Sequence, residues 1–80
     1  MENPTKICDI IHNSVDWYIQ STGKTPSQLT LGCHCYRMLV VEVVALGLFE
    51  KNKNKKGLLV SFEGLEISRD FANEFSIILD

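Results

Sequence analysis

The chain has 80 residues, 45% of them apolar and 22% charged, with eight Lys and Arg against ten Asp and Glu for a formal net charge of −2. A chain of this size buries only about 60–65% of the surface its unfolded form exposes, so a deep catalytic cleft would remove packing from a core worth only a few kcal/mol, which argues against a multi-step enzyme. The slight acidic excess supplies no field that would gather nucleic acid or an anionic membrane.

Asn3 followed by Pro4 predicts a helix start, because asparagine caps free amides and proline at the first helical position loses nothing by lacking an N–H. The helix is expected to run to about Thr22, with Gly23 as its left-handed stop. At 100° per residue Ile7, Ile10, Ile11, Ser14, Val15, Trp17, Tyr18 and Ile19 fill one broad arc, opposite Asp9, His12, Asn13, Asp16 and Gln20. Gln28 to Leu31 alternates polar and apolar residues, a short strand closed by Gly32. From Cys33 to Glu50 the charged positions are Arg37, Glu42 and Glu50, and the segment is too long for an ordinary strand, so it is read as a buried helix.

Lys51, Lys53, Lys55 and Lys56, interleaved with Asn52 and Asn54, predict a mobile, solvated loop. Leu58, Val60 and Phe62 then alternate with Leu59, Ser61 and Glu63, and after Glu63-Gly64 the alternation resumes at Leu65 and Ile67, as in a hairpin. Arg69 to Asn73 is a second connection, and Phe75, Ile77 and Leu79 mark a last strand. The expected fold is a single α+β domain, order α-β-α-β-β-β, with two helices on one face of a mainly antiparallel sheet of about four strands.

The apolar run Val43 to Phe49 is far short of the roughly 20 residues that span a bilayer, and Met1 to Lys6 lacks the order of a signal peptide. Three cysteines, Cys8, Cys33 and Cys35, make no disulfide framework, so free thiols and a cytoplasmic location are expected. Cys33-His34-Cys35 carries zinc-type donors, but a structural site needs four ligands and would require Cys8 or His12 to come alongside. Cys33 and Cys35 are read as small buried thiols near a helix start, with neither metal nor cofactor. Cys33 or Cys35 beside His34 makes no papain-like dyad either, since adjacent helical side chains do not face each other and His12 lies on the polar arc. Gly23-Lys24-Thr25 lacks the upstream glycine of a phosphate-binding loop.

Thr25 to Leu79 resembles the core of tailed-phage major capsid proteins. Pro26, Leu29, Leu31, Gly32, Tyr36 and Leu39 fit that family's turn, short strand and helix start, while Phe62, Gly64, Leu65 and Ile67 fit its aromatic-x-Gly-aliphatic hairpin. The family's proteins are several times longer and lock subunits with an extended arm and a long hairpin loop. The resemblance therefore implies a stripped-down core of phage or prophage origin with a structural or interaction role, not a shell-forming protein. The rival expectation, motivated by small size, missing catalytic residues and acidic net charge, is a mobile-element inhibitor that occupies a host defence enzyme or complex.

Both readings make the chain a non-enzymatic protein binder. An apolar arc on the first helix wider than a surface helix needs, with a second helix apolar nearly all round, predicts a dimer whose contact includes Ile10, Trp17, Val41 and Leu48. The lysines at 51, 53, 55 and 56 are the expected contact for an anionic partner, if the loop is used at all; nucleic acid and membrane are not expected partners.

Overall fold

The computed structural model describes residues 6–80. It is an α+β fold of three helices and a four-stranded sheet: α1 (Ile7–Thr22), β1 (Gln28–Gly32), α2 (Cys33–Ala45), α3 (Phe49–Asn52), β2 (Ser61–Phe62), β3 (Leu65–Asp70) and β4 (Ile77–Leu79). The sheet order is β2-β3-β1-β4. Pairing is antiparallel at β2–β3 and β1–β4, and parallel at the central β1–β3 pair, where Leu29 stands beside Ile67 and Leu31 beside Arg69.

Side-chain alternation sets the layers. Leu29 and Leu31 are fully buried beneath the helices together with Ile7, Ile11, Leu39 and Val43, and Ile67, Ile77 and Leu79 pack partly against the same cluster. Gln28, Glu66, Ser68 and Ile78 on the alternate positions are exposed. One sheet face is thus polar and open while the other carries the helices, the usual solution for a small two-layer domain.

Several expectations need correction. The first helix begins at Ile7, with Lys6 as an N-cap that supplies no side-chain bond; the proposed roles of Asn3 and Pro4 lie outside the described residues. Gly23 closes the helix as expected, at φ 72°, its amide donating to the Ile19 carbonyl at 2.8 Å. The apolar segment after Gly32 is not one helix to Glu50: α2 ends at Ala45, the chain turns at Gly47 with φ 74°, and α3 follows. Gly47 was the breaker, masked by the apolar residues around it.

The lysine segment is not a loose loop. Asn54 Oδ1 accepts the amides of Lys56 and Leu58 at 2.9 and 3.0 Å, Asn52 Nδ2 donates to the Leu48 carbonyl at 2.8 Å, and Lys53 bridges to Leu59. Asparagines organise a tight turn through their amide side chains, as they do in Asx turns generally. The alternation beyond it also shifts: Leu59 is buried and Leu58 is exposed, because the ladder proper begins only at Ser61. Leu59 is held inward by the Tyr36 hydroxyl, which donates to its carbonyl at 2.8 Å.

A candidate protein-docking surface

α2 exposes one flank. Leu39 and Val43 face the core, whereas Val41 and Val44 are 68% and 55% exposed. Between this flank and the asparagine-stitched turn lies an open groove of about 370 Å³, lined by Arg37, Val40, Val41, Phe49, Leu58 and Leu59 among others. Its walls are mainly apolar. The segments that supply Phe49 and Gly57 to Leu59 also carry Lys51, Lys55 and Lys56. Lys53 is engaged instead with Glu50 at 3.0 Å, an exposed i,i+3 pair worth only a few tenths of a kcal/mol. The fold therefore forms an apolar trough with Arg37 on its wall, built by segments that carry Lys51, Lys55 and Lys56, none of them in an ion pair among the described residues, and an apolar centre with basic groups around it is the composition of a protein contact.

The structure thus places Val41 in a groove with Phe49, Leu58 and Leu59, and Trp17 in another. Ile10 and Leu48 are half-buried and pack partly against the core. Trp17 is 71% exposed, so it does not close the core, and it lines a different groove between α1 and β4. The α1 arc was too broad because its two ends serve different purposes: Ile7 and Ile11 are buried, while Trp17 and Ile19 are not. Arg37, Phe49 and Leu58 were not singled out in the sequence. Leu58 was the readable signal, since an apolar residue directly after a lysine-rich turn marks where turn and core meet.

A second exposed cluster stands at the far ends of β1 and β3. The Arg69 guanidinium lies 5.3 Å from the Tyr36 ring centre and 5.2 Å from that of Phe71, and the His34 and Phe75 rings pack tilted by 50° with their centres 4.7 Å apart. Phe71 and Phe75 are about 70% exposed. Asp70 ties this turn together by accepting the Ala72 amide at 2.9 Å, a bond that lowers its carboxyl pKa.

The cysteines do not converge. Cys8 and Cys35 are buried, Cys33 is half-buried with its Sγ 3.9 Å from the Asp70 carbonyl, and all three are free. Among the described residues no three His, Cys, Asp or Glu side chains are placed to hold a metal ion. His12 stacks on Phe62 and pairs with Glu63. Burial, and then the Glu42 carboxylate, pushes the Cys8 thiol up from 9.0 to about 12; burial also raises Cys35. Neither is an activated nucleophile.

The sign of the Cys8 shift sets a pH dependence. The folded state keeps this proton where the unfolded chain loses it, so the stability it contributes is complete below about pH 9 and disappears as pH rises towards 12. Cys8→Ala is expected to flatten the alkaline decline, measured by urea unfolding at pH 7.5 and 10.5. Identical slopes in the two proteins would contradict it. Native labelling with a disulfide reagent is expected to modify Cys33 first and the other two only on unfolding.

No helix among the described residues is long and apolar enough to cross a membrane. Comparison with family models, curated proteins and solved structures found no match.

Proposed function

We propose that this chain is a small non-enzymatic interaction protein of phage or prophage origin, acting in the host cytoplasm, which grips an acidic segment of another protein in the α2 groove. The observation that carries the reading is the exposed apolar trough at Val41 and Leu58, walled by Arg37 and built partly by the segments that carry Lys51, Lys55 and Lys56. An occupant of matching chemistry sets apolar anchors between α2 and Leu58 and carboxylates against Lys51, Lys55 and Lys56. Such a division of labour places affinity in the desolvated centre and orientation and encounter rate in the charged rim.

The capsid-core resemblance supports the origin. Pro26 is buried just before β1, Gly32 joins β1 to α2, Tyr36 lies in the first turn of α2, and Phe62 to Leu65 form the β2–β3 turn. A relative of such a core that has kept its sheet and central helix retains a scaffold for contacts with other subunits. The inhibitor reading uses the same groove with a host enzyme or complex as occupant.

Affinity capture from host and phage-infected lysates, with bound proteins identified and their stoichiometry measured, tests both. The wild-type chain is expected to retain an acidic protein at low salt and to release it at several hundred millimolar salt. Replacing Lys51, Lys55 and Lys56 by Glu, or Val41 by Asp, should each abolish retention, while Trp17→Ala leaves it intact. Retention of a virion component supports the structural role, and of a host defence component the inhibitory one. Capture unchanged by both groove variants would refute the site.

A further inference from the structure

The outer edge of β4 is unpaired among the described residues, since β4 is the last strand of the sheet. Its hydrogen-bonding parity is fixed by its inner partner. Gln28 and Asp80 exchange amide-to-carbonyl bonds at 3.1 Å, and the Gly32 amide donates to the Ser76 carbonyl at 2.9 Å. Residues 76, 78 and 80 therefore direct their backbone groups at β1, and the N–H and C=O of Ile77 and Leu79 point outwards. Two donors and two acceptors stand in extended register along an open edge, a template that only another extended strand matches.

The opposite edge is protected differently. β2 has only two residues and is flanked by the Glu63 turn and the lysine-bearing turn. β4 has no such guard, for Ile77, Ile78 and Leu79 are all apolar. The groove of about 290 Å³ between β4 and α1 is lined by Ser14, Trp17, Tyr18, Ser21, Thr22 and the strand, without a charged side chain. Trp17, the chain's one tryptophan, stands 71% exposed on its wall.

We propose that β4 pairs antiparallel with β4 of a second copy about a two-fold axis through Ile78, giving a continuous eight-stranded sheet. In this register Ile77 of each copy lies opposite Leu79 of the other, and all the outward backbone groups are satisfied. The axis stands perpendicular to the sheet, so both helix layers stay on the same side and the two α1 helices approach over the junction, covering Trp17. The occupant is a second copy because the edge is self-complementary: a charge-free strand and a charge-free groove meet their own image with no like charges opposed. The closed two-fold also consumes the edge, so growth stops at two. This surface is separate from the α2 groove and stands or falls independently of it.

Ile78 provides the test, because it projects from the open sheet face, is 47% exposed and lies opposite its own copy at the axis. Light scattering coupled to size exclusion at about 100 μM is expected to give twice the 9.1 kDa chain mass for the wild type. Ile78→Lys and Ile78→Glu should each run as folded monomers, since facing like charges oppose pairing, and mixing them should restore a one-to-one dimer. Trp17 fluorescence should shift to the blue as wild-type concentration rises and stay unshifted in either variant alone. A wild-type monomer at this concentration overturns the proposal. So does a dimer that survives both substitutions, or a mixture of two folded variants that fails to associate.

Discussion

Gly32→Ala is expected to lower stability by about 3 kcal/mol, a drop of more than roughly 10 °C in Tm. Gly32 is the N-cap of α2, with φ −62° and ψ 160°, a conformation any residue adopts, so the loss is purely steric. A methyl group there would collide with the Asn73 carbonyl and the Glu74 backbone. That backbone cannot retreat without loss, because the Glu74 carbonyl accepts the amides of His34 and Cys35 at 2.9 and 3.3 Å, satisfying two orphan donors of α2. The Gly32 amide also holds Ser76 at the start of β4. Moving residues 73 and 74 outwards thus loosens a helix end and an edge strand together. Gly23→Ala is the contrast: its φ is 72° but nothing lies within 4 Å, so only the backbone penalty of about 1 kcal/mol applies. Thermal unfolding followed by circular dichroism separates the two, and a Tm for Gly32→Ala within about 3 °C of wild type would refute the packing account.

What was legible in the sequence were features that a few neighbouring residues decide. Gly23 ends α1 and Leu29 and Leu31 share a buried face because a left-handed stop and a two-residue period are local properties. The class and the helices' placement on one sheet face follow from such periods. The parallel pairing of β1 with β3 was not legible, since it is made across more than thirty residues and no local pattern encodes it. Nor was Cys8 singled out as core: it shares the flank of the α1 arc with Ile19, yet it is buried where Glu42 of α2 reaches its amide while Ile19 is exposed. The docking groove was half visible. Val41 was singled out, but Leu58 and Leu59 stand across the groove from it because of the turn stitched by Asn52 and Asn54, whose amides looked like loop filler beside the lysines.

The same long-range character governs the second large effect. Glu42→Ala is expected to destabilise the protein by about 2 kcal/mol, and Glu42→Gln by roughly half as much. α1 begins at Ile7 without a capping side chain of its own, and its first two amides are instead accepted by Glu42 on α2, Ile7 at 2.7 Å from Oε2 and Cys8 at 3.3 Å from Oε1. A carboxylate at a helix N-terminus gains from both hydrogen bonds and the helix dipole. Ile7 and Cys8 are buried, so alanine at 42 leaves their amides poorly hydrated as well as unpaired, while glutamine keeps an acceptor and loses the charge. The loss should be concentrated in α1: hydrogen exchange at Ile10 and Ile11 is expected to quicken more than at Leu29 or Leu31 in β1. Removing the carboxylate also removes one cause of the elevated Cys8 pKa, so thiol ionisation in folded Glu42→Ala should move below about 12. Uniform loss of exchange protection across helix and sheet, with the thiol unmoved, would show that Glu42 does not act as the cap of α1.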